Sequence, residues 1–347
     1  MRYTEIRNSG IKIPSIIFGT SALGNLYKAL DGNTKLSIVK ECLMSLDGPV
    51  VFDSAGKYGA GLALEQLGIN LSELNADPHK VIISNKLGWL RTGLTSKEPT
   101  FEKGVWMDIH YDAKQTISAG GIISCLEQGN QLLGEKYRPR LLSVHDPDEY
   151  LAVGGNDSEL RLKQYKDILN AYKALFEIKK TDSSVAIGVG AKDWKVIRKI
   201  SGDIDLDWVM FANSLTLFCH PEDLTRFISD LHRREVTIIN SALFNAGFLI
   251  GGDYFDYRLM DPKNQKHKKI FEWREKFFRI CNEFSIMPSH ACIRFGMSHP
   301  AVSSVALNTS NPAHVKRNVE EVQEEVPEEF FRAMKNQGLI DKEYPFV

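Results

Sequence analysis

The segment Val50-Val51-Phe52-Asp53-Ser54-Ala55-Gly56-Lys57-Tyr58-Gly59 carries the pattern on which the rest of the chain is built. Its first three residues are apolar and two of them are β-branched, as in a strand buried on both faces, while Gly56 and Gly59 mark the turn beyond. Between strand and turn stands a carboxylate, Asp53, with a phenol, Tyr58, in the loop that follows. Upstream, Leu36, Val39, Leu43 and Leu46 recur at helical intervals behind Thr34, a candidate N-cap, and Gly48-Pro49 ends the run. The unit is a helix, a buried strand and a polar loop.

The unit repeats. Ile16-Ile17-Phe18, Val81-Ile82-Ile83, Leu141-Leu142-Ser143-Val144, Val185-Ala186-Ile187, Trp208-Val209-Met210-Phe211, Thr237-Ile238-Ile239 and Val302-Ser303-Ser304-Val305-Ala306 are further short apolar runs. Helical spacing separates them: Tyr165, Ile168, Leu169, Tyr172 and Phe176 mark one amphipathic face, and Leu224, Phe227, Ile228 and Leu231 mark another behind Pro221. Such alternation predicts an α/β protein with a parallel sheet, and eight strands predict a closed (β/α)8 barrel. No Ser/Gly/Pro-rich linker interrupts it, so residues 1–347 are expected to form one domain. The residues beyond those a barrel needs fall at the amino end and in three stretches. Tyr3 to Ile13 reads as a hairpin around Asn8-Ser9-Gly10 that could close the barrel floor. Leu87–Asp112, Asp146–Glu159 and Asn245–Gln265 read as long irregular loops after strands, over the face where barrels build active sites.

The chain has 347 residues, 43% hydrophobic and 25% charged, with 43 Lys and Arg against 44 Asp and Glu for a net charge of -1. This is globular composition, which excludes a disordered chain, a collagen-like repeat and a disulfide scaffold. No block of like charge meets a phosphate backbone or an anionic bilayer, so neither nucleic acid nor membrane is an expected partner. The opening Met1-Arg2-Tyr3-Thr4-Glu5-Ile6-Arg7 lacks a leader's apolar segment, and a cytoplasmic protein, monomeric or a small homo-oligomer, is expected. Cys42, Cys125, Cys219, Cys281 and Cys292 are scattered and odd in number, which reads as reduced, mostly buried thiols. No spacing of His, Cys or carboxylates implies a metal.

Ionisable side chains stand at the ends of three successive strands. Asp53 follows the second strand with Tyr58 in its loop, Lys86 ends Ile83-Ser84-Asn85-Lys86, and His145 ends Ser143-Val144-His145. These are the catalytic positions of a barrel, and the set resembles the Asp, Tyr, Lys and His tetrad of the aldo-keto reductases. Gly19-Thr20-Ser21-Ala22-Leu23-Gly24-Asn25-Leu26-Tyr27 and Leu243-Phe244-Asn245-Ala246-Gly247-Phe248-Leu249 are similar to segments of that family's sugar 1-dehydrogenase branch, which acts on L-fucose, D-arabinose or galactose. The chemistry requires these residue types. Hydride transfer at a carbonyl carbon leaves charge on oxygen, which Tyr58 can meet with a proton. Lys86 is expected to lower the phenol's pKa, Asp53 to hold Lys86, and His145 to orient the oxygen. Trp89 and Trp106 are candidate sugar-stacking walls beside Tyr58 and His145, or equally rings that pin a loop.

Gly188-Val189-Gly190 is a weak dinucleotide signal, because Asp193 stands where a third glycine is required. The resemblance instead implies a nicotinamide cofactor spread over the barrel mouth, held by Gly19, Thr20, Asp53, Asn213, Ser241, Leu243, Asn245, Gly247, Asn308, Asn311, His314 and Asn318. The family's Ser-Asn pair after the fifth strand is Gly190-Ala191 here, which leaves its contact to Asn213 or a backbone group. Asn308, Asn311 and His314 replace the basic residues that grip a 2'-phosphate, so NAD is expected over NADP, with Lys316 and Arg317 read as a solvated helix face. The expected enzyme oxidises C1 of an aldose to its lactone. The alternatives are an NADPH-linked aldehyde or ketone reductase and a silent, cofactor-binding regulatory subunit.

Overall fold

Each of the eight apolar runs falls on a strand of one closed, all-parallel barrel in the computed structural model, which describes residues 1–347; only Val185 stands outside, one residue before its strand. The strands are β1 (Ile16–Gly19), β2 (Val50–Ala55), β3 (Val81–Leu87), β4 (Leu141–His145), β5 (Ala186–Ala191), β6 (Trp208–Ala212), β7 (Thr237–Ser241) and β8 (Val302–Asn308). Each pairs with the next, and β8 returns to β1 through Leu307↔Phe18 and Asn308↔Gly19. Register decides what the rim presents. Ala55 lies beside Lys86, Lys86 beside Ser143, and His145 beside Gly190, so the chain's ionisable strand ends arrive together at the C-terminal mouth.

The helices cover the outside. Helix Glu222–Arg233 buries Leu224, Phe227, Ile228 and Leu231 against the barrel, and Ser158–Thr181 does so with Tyr165, Ile168 and Tyr172. The cap of helix Gly32–Met44 is Asp31 rather than Thr34: the Asp31 carboxylate accepts from the Thr34 amide at 2.9 Å and from its hydroxyl at 2.7 Å. A carboxylate at this position also meets the positive end of the helix, an advantage a hydroxyl lacks.

At the opposite end, Tyr3–Glu5 and Lys12–Pro14 form the expected antiparallel hairpin. Its Ile6, Ile11 and Ile13 pack with Ile17, Val51, Ile82 and Trp208 in one buried cluster, which plugs the barrel floor. Trp208 needs space inside the barrel. A Cβ on Gly188 would lie 2.3 Å from its indole, and one on Gly190 would lie 3.0 Å from the Lys86 side chain. Packing therefore accounts for both glycines of Gly188-Val189-Gly190.

The three long loops are more regular than their sequences suggest. Leu87–Asp112 opens into a hairpin, Trp89–Thr92 paired with Asp112–Gln115, and Asp146–Glu159 holds the short helix Pro147–Ala152. Asn245–Gln265 contains a 3-10 turn at Phe248–Ile250 and a ribbon, Tyr254–Phe255 paired with Arg258–Leu259. A six-residue helix is too short to show a helical period, and two-residue strands are too short to form an apolar run. Helices Lys268–Glu283 and Glu328–Asn336 pack outside the alternation, and no helix is long and apolar enough to cross a membrane.

Candidate active site

Tyr58 owes its position to two glycines. Gly59 has φ +60°, and a Cβ there would meet the Gly24 carbonyl oxygen at 2.3 Å, while a Cβ on Gly24 would meet the Tyr58 carbonyl carbon at 2.8 Å. The loop after β1 thus touches the Tyr58 loop backbone to backbone, which no side chain would permit. Behind the ring, the Lys86 ammonium lies 4.6 Å from the Tyr58 ring centroid and 2.5 Å from Asp53 Oδ2. Ser84 Oγ donates to the other Asp53 oxygen at 2.9 Å. His145 presents its imidazole edge to Tyr58, with centroids 5.8 Å apart at 85°. The four residues form one cluster at the base of a cleft of about 550 Å³.

Burial dominates the electrostatics. It pushes the Tyr58 phenol well above its ordinary value of 10.0, with Asp53 and Asp146 adding to the rise and Lys57 opposing it. The Lys86 ammonium, paired with Asp53 and placed over the ring face, does not outweigh that burial. Burial likewise holds His145 well below 6.5, against the pull of Asp146. At neutral pH the pair is a neutral phenol and a neutral imidazole. The Tyr58 hydroxyl has no hydrogen-bond partner within the protein and faces the cleft.

A residue the sequence reading passed over ties this cluster to its walls. Lys57, beside Tyr58 and only 3% exposed, carries its ammonium 2.7 Å from Asp146, 2.7 Å from Glu149 and 2.8 Å from Glu102. The Asp146 carboxylate lies 3.5 Å from His145 Nε2, and Glu102 accepts from the Trp106 indole at 2.7 Å. Trp106 tilts against Tyr58 with centroids 5.8 Å apart. Burial opposes the charge on Lys57, but its three carboxylates outweigh burial and keep the ammonium well above its usual range. Burial also opposes the Asp146 carboxylate, and His145, Lys57 and Lys192 hold it below the usual range nonetheless.

A sequence model described as the Aldo/keto reductase family matches residues 15–337. The chain belongs to the aldo/keto reductase family. It is 26% identical to the pyridoxal 4-dehydrogenase of Microbacterium luteolum and 23% identical to the D-threo-aldose 1-dehydrogenase of a Pseudomonas species, each alignment covering 96% of both proteins. Among solved structures it resembles an aldo-keto reductase from Bacillus halodurans in its holo form, with a TM-score of 0.68 at 16% identity over 99% of both chains. The glycerol dehydrogenase of Gluconobacter oxydans superposes with a TM-score of 0.69 at 15% identity, over 99% of this chain and 98% of that one. These likenesses fix the fold of an oxidoreductase family that uses nicotinamide cofactors.

Of the positions that family resemblance pointed to, Gly19, Asp53, Ser241, Leu243, Gly247, Asn308, His314 and Asn318 line the cleft, as does Trp106. The cleft runs from Tyr58 and His145 to Asn318, so its shape fits an extended dinucleotide. Five expected residues lie elsewhere. Thr20 is buried and donates to the Asp53 carbonyl at 3.0 Å, pinning β1 to β2. Asn213 adopts φ +57° at a turn outside the cleft, and Asn245 donates to Asp256 at 2.9 Å. Asn311 accepts from the Ala313 amide at 3.1 Å, ahead of helix Ala313–Gln323. Trp89 packs on Phe101 with Lys57 4.8 Å from its ring centroid, which is the loop-pinning role. Arg317 turns into the cleft with a buried, unpaired Nε, while Lys316 points to solvent near Glu320.

Proposed function

We propose that the protein is a nicotinamide-dependent dehydrogenase that oxidises the anomeric carbon of a cyclic hemiacetal, an aldose of the L-fucose, D-arabinose or galactose type, to its lactone. The observation that carries this reading is the unpartnered Tyr58 hydroxyl in the cleft, flanked by the Lys86 ammonium and the His145 imidazole. The two relatives above are named for pyridoxal and for an aldose. Both compounds carry an aldehyde and a hydroxyl placed to close on it, so a ring hemiacetal is the chemistry they share.

When bound, the nicotinamide would take the hydride that leaves the anomeric carbon. The chain's own task is the proton. Tyr58 exchanges it with the substrate oxygen, His145 hydrogen-bonds that oxygen, and Lys86, held by Asp53, steadies the phenolate while it exists. Gly19, Ser241, Leu243 and Gly247 would border the cofactor's near half, and Asn308, His314, Arg317 and Asn318 its adenosine. NAD is the preferred cofactor in this reading. Burial and the neighbouring Arg317 hold His314 below its ordinary pKa, hence neutral, which leaves one guanidinium to meet a 2'-phosphate. A single cationic contact where two or three are usual predicts about tenfold better kcat/KM with NAD than with NADP.

A second reading has its own support: the same parts run in reverse as an NADPH-linked aldehyde reductase, favoured by the protonated state of Tyr58 and by Arg317 in the cleft. Reduced-cofactor absorbance, followed with NAD and NADP against aldoses, pyridoxal and simple aldehydes, separates the two. Oxidation of aldoses with NAD is the expected result. Inactivity on every aldose and on pyridoxal, with brisk NADPH-dependent reduction of simple aldehydes, overturns the first reading for the second.

A further inference from the structure

A second phenol borders the cleft. Tyr257 stands at the tip of the ribbon after β7, lines the same cavity as Tyr58, and its hydroxyl has no partner in the protein. The tip is built at a cost. Asp256 and Tyr257 have φ +46° and +67°, the two-residue turn that normally takes Asn-Gly, and neither residue is glycine. Three contacts hold it in place. Asn245 donates to the Asp256 carboxylate at 2.9 Å, Tyr254 stacks on Tyr27 of the loop after β1 with centroids 3.9 Å apart, and Phe255 packs edge-on against Phe218 at 5.1 Å. The backbone that carries Tyr257 is thus held at the edge of the cleft.

Its partner is Lys192, from the end of β5. The Lys192 ammonium lies 4.7 Å from the Tyr257 ring centroid, nearly the arrangement of Lys86 over Tyr58 at 4.6 Å. Lys57 has a carboxylate for each of its three N–H groups, whereas Lys192 is paired with Glu149 alone and also lines the cleft. Burial keeps Tyr257 a neutral phenol, Lys192 notwithstanding. The cavity therefore offers one O–H that donates and accepts and one ammonium with N–H groups to give, which is what vicinal ring hydroxyls pair with.

We infer that Tyr257 and Lys192 form a second anchor that hydrogen-bonds ring hydroxyls of a polyhydroxylated substrate, away from the carbon that reacts. The inference rests on the hemiacetal reading above. A site built to pair hydroxyls rejects analogues that lack them, because its polar groups are then left unsatisfied. The anchor would make this enzyme favour sugars over bare aldehydes at a place separate from the proton chemistry.

The test compares wild type with Tyr257→Phe, which keeps the ring and the cation beneath it. Loss of one hydrogen bond should raise KM for the best aldose, L-fucose first, by roughly three- to tenfold with kcat nearly unchanged. Calorimetry on the NAD-loaded enzyme with the unreactive 1,5-anhydro form of that sugar should show the same rise in Kd. Benzaldehyde reduction and NAD affinity should not move. An unchanged Kd for the anhydro sugar, no binding of it by wild type, or an equal loss on benzaldehyde overturns the anchor. A wild type that oxidises no aldose but binds the anhydro sugar in a Tyr257-dependent way overturns the proposed activity and leaves the anchor standing.

Discussion

Tyr58→Phe should retain cofactor binding and lose turnover by ~10²–10⁴-fold, the usual scale of a missing proton carrier. Retained activity on the best substrate would remove Tyr58 from the chemistry. The raised phenol pKa adds a direction. At neutral pH Tyr58 holds its proton, so it is ready to give one and must lose one before it can accept. Oxidative kcat/KM should therefore climb with alkaline pH while the reductive rate does not, and a flat oxidative profile would contradict the assignment. Lys86→Met leaves Asp53, buried and 2.5 Å from the missing ammonium, with only Ser84 for company. Breaking a buried pair on one side typically costs about 3–5 kcal/mol, so chemical denaturation should show a large loss of stability alongside the loss of activity. Asp53, Lys86 and His145 were legible because each stands just beyond a short apolar run; Asp53 and Lys86 then prove to lie inside strands that continue to Ala55 and Leu87. Lys57 was not, since a loop lysine reads as a solvated charge until its three carboxylates, supplied by two other loops, are seen around it. Thr20 matched a family string while serving the backbone, a distinction that only its hydrogen-bond partner reveals.

The barrel strands were legible as uninterrupted apolar runs, and the amphipathic helices by a helical period repeated over several turns. The ribbon after β7 and the short helix Pro147–Ala152 offer two to six residues apiece, and they shape the cleft. That helix carries a pH-dependent joint. Asp148 accepts from the amides of Lys192 at 3.1 Å and Asp193 at 2.8 Å, tying the loop after β4 to the end of β5. Burial, with Asp146 nearby, pushes its carboxyl up to about 6. A raised acid favours the folded state below its unfolded pKa near 3.8, and this contribution is lost as pH rises through about 6. Asp148→Asn keeps an oxygen for both amides without the charge. It should be nearly neutral at pH 3, partly stabilising at pH 5 and stabilising at pH 8 by on the order of 2–3 kcal/mol in denaturation experiments. A variant that is destabilised equally at pH 3 and pH 8 would refute the joint.

The barrel divides its labour between two ends. The floor hairpin buries Ile6, Ile11 and Ile13 far from the mouth, so Ile13→Ala should cost about 2–4 kcal/mol of stability and leave kcat and KM as they were. A change in kcat at temperatures where the variant stays folded would contradict that separation. The mouth obeys the opposite rule, because nothing in it is local. Glu102 comes from the loop after β3, Lys57 from that after β2, Asp146 and Glu149 from that after β4, and Lys192 from the end of β5, each bound to at least one other. A loop transplanted from a relative with a different substrate would arrive without its share of these charges and strand the remainder. Substitutions in the four segments should accordingly be strongly epistatic, with a paired loss of Lys57 and Glu102 milder than the sum of the single losses. New specificities in this scaffold would have to be acquired by exchanging the four segments as one inheritance, or by first neutralising the charges that join them.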